Sequence, residues 1–172
     1  MQDKRLKGQD HSIRFIDSHY HDLFRIPDGG VIQVNYPGRQ FSVKCQCLDD
    51  YHMRVGFDVF HIAQWAEMME RSHGKCQPEP ELSAEEVAWE VGRKGFLSIQ
   101  GYEDGWDYTL LAGDYKELDG GQLDMPKLSI LEARNEILED LGWDEFTMIP
   151  VDFDALMEKA ETVADKEFLE RR

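Results

Sequence analysis

Cys45, Cys47, His52, His61, His73 and Cys76 fall close together in the chain. In kind they are enough for a zinc site, and His73-Gly74-Lys75-Cys76 has a workable ligand spacing. The Cys-x-Cys pair argues the other way. On a strand, alternate residues share a face, and no Cys-x-x-Cys knuckle accompanies them. The expected state is three reduced, metal-free thiols, packed as small apolar groups. Asp17, His19, His21 and Asp22 make a second cluster, at alternating positions suited to acid–base or metal chemistry. No partner motif converges on it, so the reading is exposed histidines near the start of a strand. There is no Gly-x-Ser-x-Gly elbow, phosphate loop or His-Glu-x-x-His. The expectation is a protein that is not an enzyme and needs no cofactor.

Asp-Gly-Gly occurs twice, as Asp28-Gly29-Gly30 and Asp119-Gly120-Gly121. Neither fits a calcium loop: from Asp114 the third and fifth positions are Lys116 and Leu118, where oxygen ligands are required. Neither opens a helix, as a phosphate cradle must. The remaining role is steric. The first copy is expected as a hairpin turn and the second as a bulge or kink within a strand.

Charge divides the chain. Residues 1–77 hold ten Lys/Arg and ten Asp/Glu, whereas residues 78–172 hold nine and twenty-five, so the whole net charge of -16 lies in the second half. A negative field of this kind repels nucleic acid and anionic membrane and attracts basic proteins. No apolar run is long enough for a bilayer span, and "MQDKRLKGQD" has no signal-peptide core behind it. With the sparse, odd set of cysteines, this places the chain in the cytoplasm.

The elements that must carry these residues follow from periodicity. Pro78 and Pro80 mark a joint in "CQPEPELS", which divides a β-meander-plus-helix module, 1–77, from a linker, 78–83, and an acidic module, 84–172. In the first, "DLFRI", "VIQVNY", "QFSVKCQCL", "YHMRVG" and "FDVF" read as antiparallel strands. A helix follows with Ile62, Ala66 and Met69 on one stripe, Trp65 beside it, and Gly74 as the stop. In the second, Ser83 and Glu86 predict a capped helix up to Gly95. A three-stranded hairpin sheet comes next, "GFLSIQGY", "WDYTLLAG" and "YKELDGGQLD". A helix capped by Ser129 and Glu132 then buries Ile130, Ala133, Ile137, Leu138 and Leu141 and stops at Gly142. A last helix is capped by Asp152 or Asp154, with Leu156, Met157, Ala160, Val163 and Phe168 to bury. The fold class is α+β.

"YTLLAGDYKELDGGQLDMPKLSILEARNEIL" followed by "IPVDFDALME" resembles an accessory module of the large polyvalent proteins of phages and conjugative elements of gut bacteria. "DSHYHDLFRIPDGG" to "DDYHMRVGFDVFHIAQWAEMMERSHG" resembles another module of the same setting. The resemblance implies a mobile-element context and carries over no catalytic residue. By that context the chain is similar in purpose to small acidic anti-CRISPR or anti-restriction proteins. The expected function is therefore stoichiometric inhibition of a host CRISPR or restriction nuclease through its basic nucleic-acid groove. The expected contact residues are Glu103, Asp104, Asp107, Asp114, Glu117, Asp119, Asp124, Glu136, Glu139 and Asp140, with Trp106 as an exposed aromatic anchor. Two other readings stay open: a non-catalytic adaptor of the same element, and a metal-dependent hydrolase using the histidines of the first module.

Overall fold

The computed structural model describes residues 12–170; the charged start in which no signal core is read lies outside them. Two compact units divide the chain, one ending at Pro80 and the other beginning at Glu81. The fold is α+β, with twelve strands in antiparallel sheets and three helices among the described residues. No helix among those residues is long and apolar enough to cross a membrane.

The first unit opens with a hairpin of β1 (Ser12–Ile16) and β2 (Asp22–Pro27). A sheet follows of β3 (Val31–Tyr36), β4 (Arg39–Cys47), β5 (His52–Val55) and β6 (Asp58–His61), each paired with the next. Helix α1 (Ile62–Arg71) leads to β7 (Lys75–Pro78), which returns to pair with β3. Ile32, Val34, Val43 and Cys45 are fully buried against Trp65 and Met69 of α1, an alternation that follows directly from period-2 patterning. β1 and β7 were not expected as strands. Pro78 was read as a break, yet it closes β7, where a missing donor is tolerated. The left-handed residue after α1 is His73, at φ 55, rather than Gly74. Gly74 is needed for space, since a Cβ there would lie 2.7 Å from the Tyr36 ring.

Asp28-Gly29-Gly30 does not close a hairpin, because β2 pairs with β1 and β3 with β4 and β7. It turns a corner fastened to β4. The Gly29 amide donates to the Cys45 carbonyl at 2.8 Å and the Cys45 amide to the Gly30 carbonyl at 2.8 Å. The Cys47 amide donates to Asp28 Oδ1 at 2.7 Å. Gly29 sits at φ 81, where a side chain would be strained.

The second unit begins with a correction. Residues 86–91 form strand β8 (Glu86–Val91), not a capped helix. Val87 and Val91 share a helical face, but Val87, Trp89 and Val91 share a strand face equally well, and β-branched and aromatic residues favour the strand. β8 pairs with β9 (Gly95–Tyr102), β9 with β10 (Gly105–Ala112), and β10 with β11 (Glu117–Leu123). Helix α2 (Ile130–Leu141) follows, then β12 (Met148–Val151), a further strand that pairs with the other side of β8, and α3 (Phe153–Glu170). The sheet of this unit thus has five strands rather than three. The second Asp-Gly-Gly is not itself the bulge, since the register shift falls at Leu118. Gly121 instead admits the Tyr108 ring, whose atoms lie 3.0–3.3 Å from where a Cβ would stand.

Helix α2 forms as its caps predict. Ser129 Oγ accepts from the Glu132 amide at 3.1 Å, Glu132 reaches back to the Ser129 amide, and Gly142 takes the left-handed position. Arg134, unread in the sequence, is fully buried with its guanidinium 5.0 Å from the Trp89 ring centre. Helix α3 differs: only Leu156 is buried, and Phe168, expected inside, is 60% exposed. Leu156 packs on Ala88 and Leu111 with the half-buried Phe153 and Ala160 beside it, and Asp152 caps the helix by accepting from the Ala155 amide at 2.7 Å.

Removing the α2 cap with Ser129→Ala should lower stability by about 1 kcal/mol, seen as a lower urea midpoint at unchanged slope. Gly105→Ala should cost more, because its Cβ would stand 2.1 Å from the Leu123 carbonyl oxygen, which belongs to the backbone.

Candidate protein-binding surface

Hairpin geometry gathers the first group of acids. Tyr102 pairs with Gly105, so Glu103 and Asp104 are the two exposed residues of the β9–β10 turn. Asp107 follows on β10, opposite Gln100 and Gln122, and is half-buried. Asp124 leaves the end of β11, and the Tyr102 hydroxyl donates to its Oδ1. That bond, with burial and the charges of Asp124, Asp104 and Asp107, raises the Tyr102 phenol to about 12. Asp124 is thus the hydrogen-bond partner of Tyr102, with Asp104 and Asp107 near enough to act on the phenol through their charge.

Trp106 is not the exposed anchor expected of it. It is half-buried, its Nε1 donates to the Leu128 carbonyl at 3.2 Å, and its ring lies over Gly101. It fastens the segment after β11 to the hairpin.

A second group lies at the far end of the same strands. Asp114 Oδ1 accepts from the Lys116 amide at 3.2 Å, which shapes the turn, and Asp119 Oδ1 accepts from the Gly120 amide at 2.8 Å. Glu117 is exposed beside them. Lys116 pairs with Glu167 of α3 at 3.0 Å, and that contact with the nearby Asp114 charge raises its pKa. The third group, Glu136, Glu139 and Asp140, is exposed on the outer face of α2. The expected contact residues thus fall at three places in the unit: around the β9–β10 turn, along the β10–β11 end and on α2.

In the first unit, Asp17 binds the turn between β1 and β2. Its Oδ1 accepts from the His19 and His21 amides at 2.9 and 2.8 Å, and these contacts hold its carboxyl below the usual range. Asp49 does the same beyond β4, accepting from the Tyr51 and His52 amides and from His52 Nδ1 at 2.9 Å. His61 Nδ1 caps α1 by accepting from the Ala63 amide. The Cys45 thiol is pushed up by burial, and Cys76, for the same reason, up to about 12. The three cysteines form no disulfide. Among the described residues no three His, Cys, Asp or Glu side chains converge as metal ligands do.

Residues 83–163 match the model of a family described as large polyvalent protein-associated domain 16. The match spans β8 to the middle of α3, and so includes the acidic hairpin and α2. No curated protein and no solved structure matches the chain.

The raised Tyr102 pKa is a direct check on the first acidic group. Carbon-13 NMR of labelled tyrosine should show one of the six phenols titrating near 12. Asp124→Asn should return it toward about 10. The folded value lies above the unfolded one, so this contribution to stability is complete below about pH 10 and is lost as pH rises through about 12.

Proposed function

We propose that this protein works by binding rather than by catalysis, and that the second unit holds a basic protein partner through the acidic turn formed by Glu103, Asp104 and Asp107. One observation carries the reading: Glu103 and Asp104 form the exposed β9–β10 turn, Asp107 follows on β10, and Asp124 is held at the same end by the Tyr102 hydroxyl. A Lys or Arg cluster is the complementary surface for such a turn. The similarity of residues 83–163 to an accessory domain of large polyvalent proteins supports a module that serves a phage or conjugative element. In that setting the partner is a host CRISPR or restriction nuclease, and the acidic turn occupies Lys and Arg positions that otherwise receive backbone phosphates. The outcome is inhibition without turnover.

The adaptor reading is favoured by a separate observation. Phe168 and Leu169 of α3 stand 60% and 67% exposed, apolar surface of the kind that an adaptor presents to another protein of the same element.

The two are separable by charge. Converting Glu103, Asp104 and Asp107 together to Lys should leave the fold intact, since Glu103 and Asp104 are exposed turn residues and Asp107 is only half-buried near the strand end. The same change should weaken capture of a basic nuclease by more than about tenfold, and binding by the unaltered protein should fall as salt rises. Excess DNA should compete. If the captured partner binds the altered protein and DNA together at full affinity, nuclease-groove occupation is excluded.

A further inference from the structure

The space between α3 and the β10–β11 end of the sheet is a groove of about 640 Å³. Its floor is apolar, formed by Leu111 and Tyr115 on one side and Met157, Ala160, Val163 and Ala164 on the other. Its rim is acidic, carrying Glu117, Glu161 and Glu167, with Lys116 as the only basic lining residue. At the rim Lys116 sits on Glu167 at 3.0 Å, and the Tyr115 ring is held by stacking on Phe96 at 5.2 Å.

We infer that this groove receives a basic amphipathic helix of a partner protein, a reading that rests on the second unit being a protein-binding module. Four features identify that occupant. From Met157 to Glu167 the wall runs along α3 for about 15 Å, room for two to three turns of helix. Ala160 and Ala164 stand one turn apart and let a second backbone come close. The apolar floor takes side chains at i, i+3 and i+4 spacing, while the acidic rim requires Lys or Arg on the flanks of that stripe. Beyond the groove, α3 continues to Phe168 and Leu169, both largely exposed, which extends the apolar track. A nucleic acid or an anionic lipid has the wrong charge for this rim.

The test uses a fluorescein-labelled 18-residue peptide of leucine and lysine, with the leucines on one helical face. A second peptide has serine in place of every leucine. Anisotropy against the full chain should show the leucine peptide binding at least about tenfold more tightly than the serine peptide, because charge alone does not fill the floor. Ala164→Trp, at an exposed position that should tolerate it, should weaken the leucine peptide at least about fivefold by filling the groove. Glu161→Lys should weaken it by a similar factor without adding bulk. Reversal of Glu103 and Asp104 alone should change it less than about twofold, since that turn lies at the other end of the strands. Equal binding of the two peptides, or unchanged affinity in both groove variants, would overturn the groove. Loss on reversing the turn with silence in both groove variants would also overturn it, while leaving the acidic-turn reading in place. Circular dichroism of each variant separates lost binding from lost fold.

Discussion

The second unit depends on backbone contacts that leave no room for a side chain. At Gly95 a Cβ would stand 1.9 Å from the Leu111 carbonyl oxygen, and at Gly105 it would stand 2.1 Å from that of Leu123. These two glycines sit at opposite ends of the β9–β10 ladder, where Gly95 pairs with Ala112 and Gly105 with Tyr102. The close approach sets the register of three strands at once. It brings Tyr102, Asp104, Asp107 and Asp124 together at one end, and at the other brings Tyr115, Lys116 and Glu117 within reach of α3. Along an eight-residue strand the ends are about 24 Å apart. The Debye length at physiological salt is about 8 Å. The acids of the two turns, Glu103 with Asp104 at one end and Asp114 at the other, therefore act as separate electrostatic surfaces, while Asp107 and Asp119, opposite Gln122 and Leu110, lie about 10 Å apart between them.

The balance of opposite charges sharpens this. The second half of the chain carries nine basic residues against twenty-five acidic ones, and several of the nine are spent on internal contacts. Arg134 is buried over Trp89, Lys94 lies over Phe146, Lys159 lies over Tyr115 and Lys116 is paired with Glu167. Arg134 is held by packing; the lysines are exposed, but Lys94 precedes Gly95 and Lys116 follows the β10–β11 turn, at the end of the strands away from Glu103 and Asp104. Their charge therefore offsets acids at that end rather than at the β9–β10 turn.

How much of this was legible follows from how local each cause is. α2 was legible because its cap, its apolar stripe and its stop all lie within fourteen residues, from Ser129 to Gly142. β8 was misread for a local reason too. Ser83-x-x-Glu86 has the capping pattern and Val87 and Val91 the helical spacing, but the ladder to β9 decides the matter, and its partners lie a hairpin away. β12 was missed because Pro150 argues against a strand, yet Met148–Val151 pair in register with Val91–Ala88 of β8, partners more than fifty residues away in the chain. Trp106 was placed outside because its neighbours are acidic. The group that holds it, the Leu128 carbonyl, is twenty-two residues further on and invisible to any window. The acidic candidates were legible as types, but their division among three places in the unit is set by register and was not.

The two ends of the hairpin differ in what they can do to a partner. An exposed acidic turn acts at a distance: it raises the rate at which a basic surface arrives and rejects acidic ones, but individual exposed contacts are weak once made. A groove with an apolar floor has little reach, yet it excludes water and slows departure, and among related complexes affinity varies mostly through dissociation. Helix α3, with one buried residue and a half-covered stripe, has unused apolar surface of the kind the second role requires. Under the proposed reading, the turn therefore governs encounter and the groove governs residence. The register set at Gly95 and Gly105 places the turn at Asp104 about 17 Å along the strand from Thr109, where the groove begins, so a partner that engages both must reach along β10 from one to the other.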